Sequence, residues 1–432
     1  MQADIDIAII GAGAAGLAAA IFAAESRPNF GIILLDGAAT IGSKILVSGG
    51  GRCNVTNAIV HSSDFHAPKR LVARILRRFD AQATVQWFES LGVELKQEPT
   101  DKLFPVSNKA RTVLNALLQR CNDLDIRILT KHRVQSIAHL DVGFRIEFEQ
   151  GQITARRIIM ATGGQSLPKS GSDGKGWAMA GRMGHSITPT YPALVPLVLA
   201  DTFFHAGLSG ISHEVRVTTR VNRKVVDRRV GSLLWTHFGI SGPVVLDASR
   251  FWVMAKGQGQ DVTVIISCFP DQTIEEIDRW LDNASRQPGR KSVGTLLAQR
   301  LPARLAEAFC HLADKEANEP FRKNIEKTGL KNLANLPLNQ LPQTTRKTLV
   351  HVLTDLPVPV IGHRGWNFAE VTAGGIPLDE INAQTMMSRN VSGLYLIGEM
   401  LDCDGRIGGF NFQWAWSTGF IAGRSAARGA RG

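Results

Sequence analysis

The chain has 432 residues, with 49 Lys and Arg against 38 Asp and Glu, and a formal net charge of +11. A hydrophobic content of 44% and a charged content of 20% exclude a disordered or fibrous chain and suit a globular protein of two or three domains. No uncharged run reaches the roughly 18 residues a bilayer span needs, and the five cysteines lack C-x-x-C spacing, which argues against a zinc site or a redox dithiol.

Asp4 and Asp6 stand where a signal peptide would be basic, so no secretory leader is expected. With unpaired thiols, the expected location is the reducing cytoplasm. Ile5–Ile10 then reads as an apolar strand, followed by the turn GAGAAG, an alanine-rich helix and a second apolar strand ending at Asp36. Gly11, Gly13 and Gly16 form G-x-G-x-x-G after a strand and at the start of a helix, and Asp36 lies 20 residues beyond Gly16 (36 − 16). In that context Gly11 makes the tight turn, Gly13 admits a pyrophosphate and Gly16 lets helix pack on strand. The helix N-terminus offers N–H donors to phosphate. Asp36 would accept from a ribose 2′-hydroxyl, which argues against a 2′-phosphate there. The expectation is a bound dinucleotide.

Residues 41–57, IGSKILVSGGGRCNVTN, read as a second ligand-contacting loop. Gly49, Gly50 and Gly51 free the backbone for close approach. Lys44 and Arg52 can neutralise phosphate, and Asn54 can reach a polar ring edge. Helices are predicted at 71–79, 83–91 and 109–121, with an extended piece at 103–107. Lys69, Arg70, Arg74, Arg77 and Arg78 read as the solvated face of the first of these. Strands are predicted at 126–129, 133–139 and 143–149. Arg156–Thr162 is a buried strand running into Gly163–Gly164, whose small residues let backbone pass close to a cofactor. Gly171–Gly176 reads as a loop before a helix at 177–183.

Pro189, Pro192 and Pro196 mark a boundary, followed by strand-like segments at 195–199, 214–221, 224–230 and 262–268. Within them LLWTHFGISGP (233–243) reads as a polar turn, with His237 a weak candidate for a catalytic group. From Thr273 to Asn335 the pattern is helical, and 349–360 and 368–372 read as strands, with Gly374–Gly375 a hinge. In the tail, Leu394–Ile397 is a strand ending at Glu399, and Gly408–Gly409 opens a helix from Phe410, a second strand–turn–helix that would aim N–H donors at one ligand. Two pieces of a dinucleotide domain split by an insertion suggest a resident FAD rather than a visiting NAD. The fold class expected is therefore α/β: a two-piece Rossmann-like FAD-binding domain with an inserted strand-rich domain carrying a small helical subdomain, an insert that the family resemblance given below implies to be β-barrel-like. The boundaries are 1–190 and 373–432 for the FAD domain, 191–271 and 343–372 for the insert, and 272–342 for the helical part.

GAGAAGLAAA, GSKILVSGGGRCNVTN, WTHFGISGP and LYLIGEMLDCDGRIGGFNFQWAWSTG together resemble the bacterial flavoprotein family of NAD(P)/FAD-dependent oxidoreductases, which has aminoacetone-oxidase-like and bile-acid-reductase branches. The resemblance implies that FAD contacts Gly11, Gly13, Ala15, Gly16, Asp36, Lys44, Gly51, Arg52, Val134, Ala161, Gly163, Glu399, Phe410 and Asn411. Val134 rests on the family fold alone. Two features depart from the family pattern: Asp36 replaces a longer glutamate, and TDKLFPVSNKA (100–110) lacks the glycine–arginine start. Cys53, in the glycine-rich loop, has no nearby cysteine partner in sequence and reads as a packing residue.

The function expected is an FAD-dependent oxidoreductase acting on a small organic substrate. NAD(P)H would be a transient reductant, because the sequence holds no second dinucleotide fingerprint, and no metal is expected. A tRNA-modifying flavoprotein and a non-catalytic redox sensor are the alternatives. The basic residues, in modest clusters at Lys69–Arg78, Arg216–Arg229 and the C-terminus, argue against a nucleic-acid partner but leave one open. The oligomeric state is unread.

Overall fold

A computed structural model describes residues 5–287, 289, 291–316 and 332–429. The chain divides into two compact units, residues 1–193 with 366–432, and residues 194–365.

The first unit is built on a seven-stranded sheet. Strand β1 (Ile5–Ile10) lies between β2 (Ile32–Leu35) and Gly151–Met160, parallel to both, and β2 pairs in parallel with Arg127–Leu129. Parallel strands covered on both faces need nearly continuous apolar runs, and Ile7–Ile10 and Ile32–Leu35 are buried throughout. Gly151–Met160 changes partners along its length. Its first half pairs antiparallel with Phe144–Phe148, and Ile158–Met160 pairs in parallel with Leu394–Leu396. The tail thus returns as a strand of the N-terminal sheet.

Helix α1 (Ala14–Ser26) is buried almost all round, as a helix apolar on every face must be. It packs on the C-terminal helix Phe410–Arg428. Gly419 and Gly423 permit that approach: a Cβ at Gly419 would lie 2.8 Å from the Ala15 carbonyl oxygen, and one at Gly423 would overlap that of Ala19. The loop at 41–57 is more regular than the sequence suggests. Ser43–Gly51 is helical, broken at Ser48, with left-handed Gly49 and Gly50.

The second unit carries an antiparallel seven-stranded sheet in the order Leu356–Val358, Val262–Ser267, Ser212–Val221, Lys224–Thr236, Gly239–Ser241, Leu197–Leu199, Val360–His363. The outermost strands of that order are consecutive in the chain, separated by Pro359 alone. The sheet must therefore curl until its edges approach, which gives the barrel-like form expected. Helices Ile274–Ser285, Val293–Leu297, Ala303–Glu316 and Gln343–Thr354 follow. Ile277, Leu281, Leu305, Phe309, Leu349 and Leu353 are buried within this unit.

Four sequence readings change. LLWTHFGISGP leads into a 15-residue helix, Pro243–Gly257, that the sequence reading left out. Its β-branched Val244, Val245 and Val253 blur the helical signal, and Pro243 occupies its first turn, where a missing N–H is harmless. Residues 349–354 are helical rather than extended. Val371–Ala373 pairs with Tyr191–Ala193 inside the first unit, so the chain leaves the insert at Gly365–Trp366 rather than at 372–373, and enters it after Ala193 rather than at 190. The part of the helical stretch at 317–331 lies outside the described residues. No helix among the described residues is long and apolar enough to cross a membrane.

Candidate functional site

The three fingerprint glycines have three different environments. Gly11 has φ +103°, and a Cβ there would overlap the Ala161 carbonyl oxygen. Ala161 is held in place by its N–H donating to the Ile10 carbonyl at 2.8 Å. A Cβ at Gly16 would overlap the Gly11 carbonyl oxygen, whereas one at Gly13 has nothing within 4 Å. Gly11 and Gly16 are therefore required by the protein's own packing. Gly13 faces open space, a cradle that a side chain would fill.

Two helices meet this cradle's chemistry with bare N-termini. Helix α1 starts after Gly13 and the helix Phe410–Arg428 after Gly409, and neither has a side-chain cap. Their first-turn N–H groups and dipole ends are thus available to anionic or carbonyl oxygens. Ala15 lies in this first turn, against Gly398 of the tail.

Asp36 is positioned by backbone. Its Oδ2 accepts from Ala12 N–H and its Oδ1 from Ala38 N–H, both at 2.7 Å. Each oxygen keeps a second lone pair for a ribose hydroxyl. Lys44 and Glu399 are brought together: Lys44 Nζ donates to Glu399 Oε2 at 2.5 Å and to Ser166 Oγ at 2.8 Å. Ser166 Oγ and Thr372 N–H both donate to Glu399 Oε1, at 2.7 and 3.0 Å. Lys44 is therefore neutralised within the protein, and it ties the glycine-rich segment to the tail. Arg52 is engaged likewise, 2.6 Å from Glu98 and 4.0 Å above the Phe104 ring. Gly51 has φ +84°. Val134 and Gly163 stay close to the sheet: Val134 is buried opposite Phe148, and Gly163 abuts Ser172 Oγ.

The glycine-rich segment and the C-terminal helix touch directly. A Cβ at Gly409 would lie 2.5–2.8 Å from the backbone of Thr56. Thr56 Oγ1 donates to Gln413 at 2.6 Å, and Trp416 Nε1 to the Val55 carbonyl at 2.9 Å. Phe410 packs edge-on against Phe65. The side chain of Asn411 closes the turn before its helix, bonding Gly405 N–H at 2.8 Å and the Gly405 carbonyl at 2.9 Å. What Asn411 offers a ligand is thus its backbone N–H.

Buried polar atoms without partners supply the complementary test. Asn54 Oδ1, Trp87 Nε1, Thr162 Oγ1, Ser170 Oγ and Ser172 Oγ are buried without a hydrogen-bond partner in this unit, and the other unit holds such atoms too, among them His205 Nδ1 and Nε2 and Thr219 Oγ1. An unmet buried group costs about 1–3 kcal/mol, so those beside the glycine turns, Asn54, Thr162 and Ser172, suit a polar ligand that completes them. The residues present fit FAD: an open backbone cradle, two bare helix ends and unmet polar atoms. Thr162 and Ser172 are not among the sequence candidates, although each adjoins a glycine of a segment that is, Gly163 of the A-T-G-G turn and Gly171 of the GSDGKG loop.

Cys53 has φ +62°, and burial pushes its thiol up to about 12, with the Ser48 hydroxyl opposing. It is a neutral packing group, as expected from its isolation. All five cysteines are buried and none is in a disulfide. His237 belongs to the other unit, where its exposed ring meets Phe238 edge-on at 5.2 Å. Among the described residues no group of acidic, His or Cys side chains could hold a metal ion.

The HI0933-like protein Rossmann domain model matches residues 5–425. The 3-dehydro-bile acid delta(4,6)-reductase of Clostridium scindens is 32% identical over 422 residues, covering 98% of both chains. The ribosomal RNA dihydrouridine synthase of Escherichia coli is 30% identical over 416 residues, covering 96% of both. Among solved structures, E. coli quinol fumarate reductase FrdA aligns with a TM-score of 0.50 at 19% identity, covering 98% of this chain and 70% of that one, a likeness of fold.

Proposed function

Because this chain belongs to the HI0933-like Rossmann family and is a flavin-dependent oxidoreductase, we propose that it passes electrons from NAD(P)H to a carbon–carbon double bond conjugated with a carbonyl, in a uracil ring of ribosomal RNA. The names of its two relatives imply that shared chemistry. A delta(4,6) 3-dehydro steroid is saturated next to a ketone, and dihydrouridine lacks the uridine double bond next to its ring carbonyl. The observation that carries the substrate class is charge. A bile acid presents one carboxylate, whereas a chain at +11, although its basic residues form only modest clusters in sequence, suits a polyanion.

FAD, once held, supplies hydride acceptance and delivery. The chain's own residues do the holding. Gly13 and the start of α1 would receive the pyrophosphate, with Asp36 at the ribose. The N–H groups of Phe410 and Asn411 would serve the far end of the cofactor, and the Lys44–Glu399–Ser166–Thr372 network ties the glycine-rich segment to the tail.

The test starts from the visible spectrum of purified protein, followed by anaerobic addition of NADH and NADPH. Loss of the oxidised flavin band and appearance of dihydrouridine in unmodified ribosomal RNA support the proposal; no bleaching by either nucleotide removes the NAD(P)H-linked reading. Turnover of a 3-oxo-4-ene bile acid with RNA left untouched would favour a small steroid acid, the reading supported by the 32% identity to the bile-acid enzyme.

A further inference from the structure

In the second unit, the hairpin Ser212–Val221 and Lys224–Thr236 is closed by the two-residue turn Asn222–Arg223. Both turn residues have left-handed backbone, φ +48° and +66°. Such a turn strongly prefers glycine at its second position, yet an arginine stands there. A side chain kept where its backbone is disfavoured points to use of that side chain.

The strand that follows adds to it. Lys224–Leu233 pairs with Ser212–Val221 on one side only, because Gly239–Ser241 joins the other side just at Leu234–Thr236. The helix Pro243–Gly257 covers one face of this strand: Arg229 turns inward to Asp247 at 3.3 Å and to Asp227 at 2.9 Å, and Gly231 abuts Val244. Lys224, Val226, Arg228, Val230 and Ser232 are all exposed, and a bulge between Val225 and Asp227 shifts the register, so that Arg228, Val230 and Ser232 lie on the face opposite Arg229. Arg223, Lys224 and Arg228 form no ion pair among the described residues, and Val226 and Val230 are about half exposed. The one acid of this stretch, Asp227, is taken by Arg229. The exposed residues of this edge are thus cationic and apolar by turns.

A second copy of the chain does not fit this edge. An antiparallel two-fold pairing that sets Val226 against Val230 would place Arg228 against its own copy, and like charges directly opposed are destabilising. A polyanion does fit. Lys224 and Arg228 pair with Val221 and Thr218, three positions and so about 10 Å apart along the hairpin, with Arg223 beyond them at the tip.

We propose that the outer face and tip of this hairpin are the RNA-docking surface of the protein, with Arg223, Lys224 and Arg228 on phosphates and Val226 and Val230 against sugar and base faces. The inference rests on the RNA reading above. It is tested with full-length flavin-loaded protein and protein-free bacterial ribosomal RNA, measuring affinity across a salt series. The triple variant Arg223→Gly, Lys224→Ser, Arg228→Ser should flatten the slope of log affinity against log salt by about 2–3, the loss of three phosphate contacts. Flavin content and the rate of flavin reduction by NAD(P)H should be unchanged.

The single variant Arg223→Gly separates use from structure. It relieves the turn, so its melting temperature should hold or rise while RNA affinity falls and the slope drops by about 0.7–0.9. An unchanged slope in the triple variant overturns the hairpin assignment and leaves the RNA reading standing. Wild-type protein that reduces its flavin yet binds no RNA overturns both. A dimer in light scattering that the triple variant converts to monomer would make this face a self-association surface and overturn the assignment as well.

Discussion

Gly13→Val and Gly16→Val separate ligand space from packing within one motif. Gly13 has φ −81° and ψ −170°, an extended conformation open to any residue, and a Cβ there meets nothing within 4 Å. Valine at this helix N-cap should cost the FAD-free protein no more than about 1 kcal/mol. Its methyl groups would occupy the cradle that a pyrophosphate needs. For wild-type protein stripped of FAD, adding FAD at a hundred times its Kd contributes about 2.7 kcal/mol. For a unit of this size that is a rise of about 5–10 °C in melting temperature. Gly13→Val should show almost none of that rise and should purify without the flavin absorption band. Gly16→Val forces overlap with the Gly11 carbonyl, so it should lose about 1–3 kcal/mol or more whether FAD is present or not. The assay is thermal melting of stripped protein with and without FAD, alongside flavin absorbance. Gly13→Val protein that retained wild-type flavin content and wild-type thermal gain would refute the cradle.

Further outcomes follow from the network and the buried titratable groups. Lys44→Met leaves Glu399 and Ser166 without their cation and should cost about 1.5–3 kcal/mol in urea unfolding; adding Glu399→Gln should recover part of it, and a loss below about 0.5 kcal/mol would reduce the pair to an exposed one. His213 is held neutral by burial, down to about 4, and its Nε2 accepts from Trp235 Nε1 at 3.1 Å. Its folded value lies below the unfolded one of 6.5, so the stability it contributes is whole above pH 6.5 and fades as pH falls toward 4. His213→Phe should flatten acid unfolding in that window, and an unaltered profile would contradict this. Burial pushes the thiols of Cys53, Cys121 and Cys310 up to about 12 and raises that of Cys268. Their contribution is therefore whole below pH 9 and lost as pH climbs toward 12. Native protein should leave Ellman's reagent unreacted at pH 8, and all five thiols should titrate on unfolding.

The sequence alone determined the parts whose chemistry is local. The fingerprint, its strand–turn–helix setting and the acid at the end of β2 are decided by neighbours a few residues apart, so GAGAAG could be read without a fold. The same holds for the start of the tail helix, where Gly408–Gly409 announces a bare N-terminus. Periodicity also placed most helices and strands to within a few residues, because each buries one face.

Tertiary structure decided what depends on distant partners. Lys44 reads as a phosphate ligand until Glu399, 355 residues away, is seen to hold it. Asn411 is implied as a cofactor contact, and only the fold shows that its side chain closes its own turn and leaves the backbone N–H to offer. The helix Pro243–Gly257 is valine-rich enough to pass for strand, and only its burial beneath the hairpin sheet settles its form. The motif assigns Gly11, Gly13 and Gly16 separate roles, but only the fold supplies the groups that enforce them: the Ala161 and Gly11 carbonyls exclude a side chain at Gly11 and Gly16, while Gly13 faces open space. A local pattern names the ligand class because backbone geometry is local, whereas the partners of a long charged side chain are set by where the whole chain folds.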